Sequence, residues 1–361
     1  MEINWEKAQK NLSRFPFSAF MLTFSLLYGL GARARWVAYS RGILRQRKLP
    51  GFVLSVGNIT VGGTGKTPMT IMLASWAKDQ GFSVCVLSRG YGGSYKGDVL
   101  VVSDGEEIKA SWEQCGDEPY LIASEISGVP VVVARKRFLG GRYAHEKFGS
   151  NLFILDDGFQ HLALKRDIDL LLIDSLDPFG GGQLLPLGKL REPLSAIKRA
   201  NLIVFSNFSS DLRTLTLLRA AKEKFPDRNI FEARHVPTEI ILSGNKDRVR
   251  PEWINGKRVA AFAGIANSEN FERTLSELGA KIGYFRRFSD HHVYSQDDIR
   301  SLIRAAKRGH IGYILTTQKD WVKMERFIQG EDLRFGYVRI RFDLLERERD
   351  FFETIKSLLS K

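Results

Sequence analysis

The chain has 361 residues, 43% of them hydrophobic and 26% charged, which suits a folded protein of about two ordinary domains and excludes a disordered one. Cys85 and Cys115, the two cysteines, form neither a metal-ligand spacing nor a disulfide framework, so a reducing compartment fits. The net charge of +13 is not spread as a nucleic-acid surface would need: residues 1–50 hold nine Lys/Arg against Glu2 and Glu6, a net of +7, and the other 311 residues carry only +6. No nucleic-acid partner is expected.

The first element is an uncharged run of 18 residues, Phe15 to Ala32, diluted by Pro16, Ser18, Thr23, Ser25, Gly29 and Gly31. As a helix it would be about 27 Å long, marginal against a bilayer core of roughly 30 Å. Three readings stand. Lys7, Lys10 and Arg14 before the run and Ala32-Arg-Ala34 after it allow a cleaved signal peptide. The run can also be a buried structural helix. The third reading is a membrane-embedded or interfacial anchor, and the basic residues Arg33, Arg35, Arg41, Arg45, Arg47 and Lys48 favour it, since they suit the anionic cytoplasmic leaflet.

After Pro50-Gly51 the pattern changes. Short apolar strands are predicted at Val53–Val56, Val84–Leu87, Val131–Ala134, Leu152–Leu155, Asp169–Ile173 and Leu202–Ser206, with helices at Pro68–Gln80 and Pro119–Ile126. Such alternation predicts α/β structure, a parallel sheet covered on both faces. Asp211–Lys224 reads as a charged helix and His235–Leu242 as a linker strand. A second α/β region follows: strands Val259–Ala263, Ile282–Phe285 and Tyr313–Thr316, with helices at Glu269–Leu278, Gln296–Arg308 and Phe351–Leu359. The expected division is a membrane-associated segment 1–50, a nucleotide-binding domain 51–234 and a smaller second domain 235–361.

The strongest motif is Thr60-Val-Gly-Gly-Thr-Gly-Lys-Thr67, between a strand and a helix. Gly62, Gly63 and Gly65 let backbone amides turn toward phosphate oxygens, with Thr60 and Thr64 completing the loop. The helix N-terminus adds partial positive charge, and Pro68 costs nothing there because its missing N–H is unneeded. Lys66 can reach the β- and γ-phosphates of ATP and Thr67 can ligate Mg²⁺. The usual pattern has glycine where this chain has Thr60; Gly62 and Gly63 supply the freedom instead.

Asp156-Asp-Gly-Phe-Gln-His161 follows the strand Leu152–Leu155, at the carboxyl edge where ligands of parallel sheets collect. Asp156 is the candidate metal-associated acid; Asp157, Gln160 and His161 can orient it or contact substrate, or the segment is a turn with His161 as a cap. Arg89, in Ser88-Arg-Gly-Tyr-Gly-Gly93, reaches the same edge and can meet phosphate or solvent. Asp117, in Gly116-Asp-Glu-Pro119, is an N-cap or a general base toward a hydroxyl. Arg191-Glu192 binds an anion or forms a local ion pair. Asp290-His-His292 can tune a proton acceptor or cap a helix, and Lys319 and Asp320 follow another strand.

Taken in order, these segments resemble the tetraacyldisaccharide 4′-kinase family of lipid A biosynthesis. The resemblance runs from the apolar, basic N-terminus through Val56–Pro68, Leu87–Gly93, Gly116–Pro119, Asp156–His161, Leu190-Arg-Glu192, Phe262–Ile265 and Asp290-His291 to Thr317-Gln-Lys-Asp320. The family's phosphate loop also has a small hydroxyl residue at the position of Thr60. The resemblance implies a P-loop kinase-type core and a second, smaller α/β/α domain joined by a β linker. It implies transfer of the γ-phosphoryl of ATP, with Mg²⁺, to the 4′-hydroxyl of a lipid A disaccharide 1-phosphate at the cytoplasmic face of the bacterial inner membrane. By position, Asp117 matches the family's base, His291 its partner and Asp156 its metal-associated acid, while Asp157, Gln160 and His161 match its active-site motif; with these three, Arg89 and Arg191 are the residues expected toward substrate. His292, next door, is also placed to be the partner.

The competing reading is a membrane-associated P-loop NTPase switch with no lipid acceptor. It calls for a guanine-reading Asn-Lys-x-Asp; Asn245-Lys-Asp247 is one residue short and follows the linker strand.

Overall fold

A computed structural model describes residues 15–243, 247–328 and 334–360. Lys7, Lys10, Arg14, Asn245 and Lys246, singled out above, lie outside the described residues.

The apolar run belongs to a longer helix, α1 (Phe15–Ser40), that carries Arg33 and Arg35 within it. Strand β1 (Phe52–Asn58) leads through the phosphate loop into α2 (Lys66–Asp79). Next come β2 (Val84–Ser88), β3 (Leu100–Ser103), α3 (Asp117–Glu125), β4 (Val131–Val133), α4 (Arg137–Phe148), β5 (Leu152–Leu155), β6 (Ile168–Asp174) and β7 (Leu202–Ser206). Helix α5 (Leu212–Lys224), β8 (Asn229–Glu232), β9 (Arg234–Leu242), β10 (Arg248–Val249) and β11 (Arg258–Ala263) follow. The chain ends with α6 (Ser268–Glu277), β12 (Lys281–Arg287), α7 (Gln296–Arg308), β13 (Tyr313–Thr317), α8 (Gln318–Met324), β14 (Arg334–Asp343) and α9 (Glu348–Leu359). Every predicted strand and helix is present within a few residues of its expected ends. Sequence patterning did not reveal β3, α4, β8, β10, α8 or β14. Of these, α4 hides its buried face behind Gly140 and Gly141, and a Cβ at Gly140 would lie 2.8 Å from that of Ala134.

The chain forms two compact units that are not contiguous in sequence: residues 1–66, 157–234 and 344–361 make the first, and 67–156 with 235–343 the second. In the first unit β1, β6, β7 and β8 run parallel in that order. Its core gathers Phe159, Leu171, Ile173, Ile203 and Phe205. Helix α9 belongs here, with the rings of Phe351 and Phe231 edge to face at 5.2 Å. Helix α1 docks through a few small or polar residues: Ser25 Oγ donates to the Leu184 carbonyl at 2.9 Å and the Tyr28 hydroxyl to the Arg191 carbonyl at 2.8 Å. Its large side chains face outward, Phe20, Leu26, Leu27 and Leu30 each being more than half exposed. That exposure argues against a buried structural helix. No helix among the described residues is long and apolar enough to cross a membrane.

In the second unit β2, β4 and β5 run parallel, with β3 antiparallel at the edge of β4. A six-stranded mixed sheet in the order β10-β9-β14-β13-β11-β12 completes it. Alternate residues of β11 enter opposite cores: Ala260 and Phe262 join Ile299 and Leu302 of α7, while Val259, Ala261 and Ala263 join Phe271 and Leu275 of α6. Helices thus cover both faces, as a near-continuous apolar strand requires.

Gly57 in β1 shows how tightly the first unit is built. A Cβ there would lie 2.5 Å from Phe159 Cβ and 2.8 Å from the Phe159 backbone nitrogen, so only glycine lets the segment after β5 cross over β1. Gly57→Ala should therefore cost about 1–3 kcal/mol through overpacking. The apparent melting temperature measures it, and an unchanged value would refute the close approach.

Candidate active site

Within the first unit the phosphate loop leaves β1 with Thr60 buried and bridged to Leu190 in antiparallel fashion. Thr60 is therefore extended, and the left-handed turns fall on Gly62 (φ 126°) and Gly65 (φ 87°). This is why a side chain at position 60 is harmless. Asn58 Nδ2 and Thr64 Oγ1, both buried, have no hydrogen-bond partner among the described residues. Orphaned polar atoms beside such a loop fit a phosphate-bearing ligand.

Lys66 Nζ lies 3.5 Å from Asn58 Oδ1 and 3.8 Å from Asp157 Oδ1. Arg191 clamps the same carboxylate, its Nη1 donating at 3.0 and 2.9 Å. Gln160 Nε2 donates to the Asn58 carbonyl at 2.8 Å, and Asp157 takes a left-handed φ of 50°. The structure therefore brings Lys66, Asp157, Gln160 and Arg191 together. Glu192 turns away and pairs with Arg199 at 2.6 Å. The His161 carbonyl accepts from Arg166, which also holds Asp169, so the end of this segment is tied into the fold.

In the second unit Asp156, 1% exposed, ends β5. Its oxygens receive hydrogen bonds from Thr70 at 3.3 Å and Ser88 at 3.4 Å. Thr67 lies one turn before Thr70 on the same buried face of α2. A buried carboxylate at the carboxyl end of a strand, with a threonine at the start of α2, suits Mg²⁺, which binds few protein ligands. Among the described residues no group of three or more His, Cys, Asp and Glu gathers as a metal cage. Arg89 lines a cavity of about 420 Å³ with Tyr91, Lys96, Arg135 and the glycines of its loop.

Asp117 opens α3, where Gly116 (φ 94°) brings the chain so close to Tyr91 that a Cβ would lie 2.4 Å from its carbonyl oxygen. Its carboxylate is 5% exposed and meets His291 Nδ1 at 3.0 Å. Lys323 Nζ lies 3.7 Å away and Lys319 Nζ 3.9 Å. His291 takes a left-handed φ of 56°, and its ring packs against Tyr91 at 5.3 Å. Lys319 Nζ lies 3.4 Å from His291 Nε2 and 3.0 Å from Glu118. An ammonium has only donors, so Nε2 of the neutral ring must accept and Nδ1 carries the proton that Asp117 receives. His292 is engaged elsewhere, 3.1 Å from Asp298 and stacked on Phe288 at 4.5 Å. The geometry thus pairs Asp117 with His291 and not with His292.

Burial alone would push the Asp117 carboxyl up. The His291 hydrogen bond and the charges of Lys319, His291 and Lys323 outweigh it and hold the group well below the usual carboxylate range. For His291 burial lowers the pKa, but the Asp117 hydrogen bond prevails over burial and Lys319, so it ends above its ordinary value. Sequence reasoning missed Lys323, Asn58 and Tyr91. The only trace of Lys323 was its i, i+4 spacing from Lys319, which places both on one face of α8.

A glycine loop leading from a parallel strand into a helix and, within the second unit, a hydrogen-bonded acid–histidine pair point to the class of P-loop phosphotransferases. The family model for tetraacyldisaccharide-1-P 4′-kinase, LpxK, matches residues 17–360. The tetraacyldisaccharide 4′-kinase of Syntrophus aciditrophicus is 41% identical over 329 residues, 89% of this chain and 88% of that protein. That of Pelobacter propionicus is 42% identical over 306 residues, 85% and 83% of the two chains. The crystal structure of LpxK from Aquifex aeolicus in complex with ATP is similar with a TM-score of 0.74 at 33% identity, covering 95% of this chain and 99% of that one. The chain belongs to the tetraacyldisaccharide-1-phosphate 4′-kinase family and is an ATP-dependent kinase of lipid A biosynthesis. The switch reading without a lipid acceptor gives way to it.

Because His291 titrates above its ordinary value, its charged form stabilises the fold. That contribution is full below the unfolded pKa of roughly 6.5 and is lost as pH rises through the folded value. An NMR titration of the ring should give a midpoint above 6.5, and Asp117→Asn should lower it, since burial and Lys319 are then opposed only by the more distant Asp290. A midpoint that ignores the substitution would disprove the pairing.

Proposed function

We propose that the chain transfers the γ-phosphoryl of ATP to the 4′-hydroxyl of a tetraacyldisaccharide 1-phosphate, with Asp117 accepting the hydroxyl proton. The observation that carries the reading is the ionised Asp117 carboxylate hydrogen-bonded to His291. Phosphoryl transfer passes through a loose transition state, so the hydroxyl needs an aligned acceptor more than a strong base. A carboxylate with a depressed pKa is always ready, and His291 fixes its direction. Lys66 and the loop amides would take the triphosphate. Thr67 and Asp156 would hold Mg²⁺, which neutralises charge on the β- and γ-oxygens. Asp157, Gln160, His161, Arg89 and Arg191 would serve substrate contact, and Asp157 pairs with both Lys66 and Arg191. In this reading residues 51–234 carry the nucleotide machinery and 235–361 supply His291.

The same reading places the protein peripherally on the cytoplasmic face of the bacterial inner membrane. Support comes from α1, whose docked face is narrow and whose outward face is apolar, followed by Arg41, Arg45, Arg47 and Lys48. An acylated acceptor stays in the bilayer, so an enzyme held there searches a surface rather than a volume.

Asp117→Ala should abolish phosphoryl transfer while nucleotide binding, followed by calorimetry, persists; wild-type turnover would sink the assignment of the base. Replacing Leu26, Leu27 and Leu30 together by Gln should lower partition onto anionic vesicles about tenfold or more, because each partly inserted leucine contributes on the order of 1 kcal/mol. Undiminished co-sedimentation would mean that another surface holds the protein.

A further inference from the structure

Lys323 is an unusual residue for its place. It sits on α8 at 1% exposure, yet it carries a charge, and Asp320 one turn earlier is 0% exposed. The two groups lie 3.1 Å apart, and Lys323 also faces the Tyr294 ring at 5.4 Å. Asp320 is anchored on its other side: Oδ2 accepts from the Gly264 backbone N–H at 2.9 Å and the Thr317 hydroxyl at 2.7 Å. Lys323 Nζ makes no hydrogen bond of good geometry among the described residues. Its contacts are therefore those of a charge, and the second carboxylate within its reach is Asp117, at 3.7 Å.

A buried ion pair is a poor stabiliser, because desolvation offsets most of the attraction and apolar residues of equal volume fill the same space. The neighbours of Lys323 on α8, Trp321 and Met324, are such residues. Two buried carboxylates with a single ammonium between them instead form a graded electrostatic device. The ammonium favours ionised Asp117, and Asp320 attenuates that effect by sharing the positive charge. The groups facing Asp117 are His291 with Asp290 behind it, Lys319 with Glu118, Lys323 with Asp320, and the buried Cys115 thiol.

We infer that Lys323, held in place by Asp320, is a positioning residue of the phosphotransfer site that orients the Asp117 carboxylate toward His291 and sets the strength of their pairing. The inference rests on the proposed role of Asp117. Lys323 itself touches no reacting atom and acts through that carboxylate.

The test compares Lys323→Met and Asp320→Asn with the parent in full-length protein. Readouts are steady-state kinetics with ATP and the disaccharide 1-phosphate, and an NMR titration of His291. Lys323→Met should lower kcat about tenfold or more while both KM values stay within about threefold. It should also move the His291 midpoint up, because the Asp117 charge is no longer partly neutralised. Asp320→Asn should move that midpoint down, because Lys323 then acts on Asp117 alone. A purely structural role would not move the two titrations in opposite directions. A folded Lys323→Met protein with parental kcat and an unmoved His291 midpoint overturns the inference. If Lys323→Met does not fold, Asp320→Asn decides: a midpoint that stays or rises overturns it. Asp117→Asn measured alongside separates the failures, since retained turnover there removes the base reading itself and leaves the titrations to judge Lys323.

Discussion

A buried carboxylate kept ionised by its surroundings is the constraint on which the second unit is arranged. Asp117 loses the solvation of water by burial and regains an equivalent from His291, Lys319 and Lys323. Each donor needs its own support. Lys319 leans on Glu118, and Lys323 on Asp320, which in turn bonds the Gly264 amide where β11 ends. His291 is held in a left-handed backbone conformation that costs on the order of 1 kcal/mol or more and persists because its ring is gripped from both sides. Strain and buried charge in one cluster are what fold stability alone would not select.

Much of this was legible in the sequence, for identifiable reasons. Strands and helices with strong periodicity, such as β5 and α7, declare themselves because burial and register act over many residues. The phosphate loop is legible because its glycines do one job that other residues do poorly, and the observed φ values at Gly62 and Gly65 agree. Asp117 and His291, separated by 174 positions, were connected only through the family resemblance. Nothing local in either segment specifies that they touch. Lys323 was invisible for a different reason: a lysine on a helix reads as solvated, and only the fold shows it walled in. The six missed elements are short, at a sheet edge, or interrupted by glycine or charge, which are the cases where local patterning carries least information. The residue that first looked irregular, Thr60, is explained by its bridge to Leu190, a contact that no spacing rule contains.

The first unit poses a complementary problem, how to hold cations in readiness for an anion. Lys66 and Arg191 both lean on Asp157. A carboxylate shared by two cations offsets their mutual repulsion and keeps both side chains ordered near the phosphate loop. Arg191 is fixed at the backbone as well, since its carbonyl accepts from Tyr28 of α1 and its N–H donates to the Ile59 carbonyl. The N-terminal helix is thereby hydrogen-bonded to the residue whose guanidinium sits on the Asp157 carboxylate. The contact ties the placement of α1 to that of the segment carrying Arg191.

The way α1 is docked bears on why its apolar side chains stay outside. Gly29 meets Leu184 so closely that a Cβ would lie 2.7 Å from Leu184 Cδ1, and Ser25 satisfies a carbonyl beside it. Small and polar residues face the protein while Phe20, Leu26, Leu27 and Leu30 face away, the reverse of a helix that builds a core. In water that arrangement forfeits the burial free energy of several large side chains, roughly 1.5–3 kcal/mol for each one fully buried. A sequence free to fold for stability would turn the helix over. Under the proposed attachment to a membrane surface the outward face of α1 would be covered by an apolar phase, the same phase in which an acylated acceptor resides.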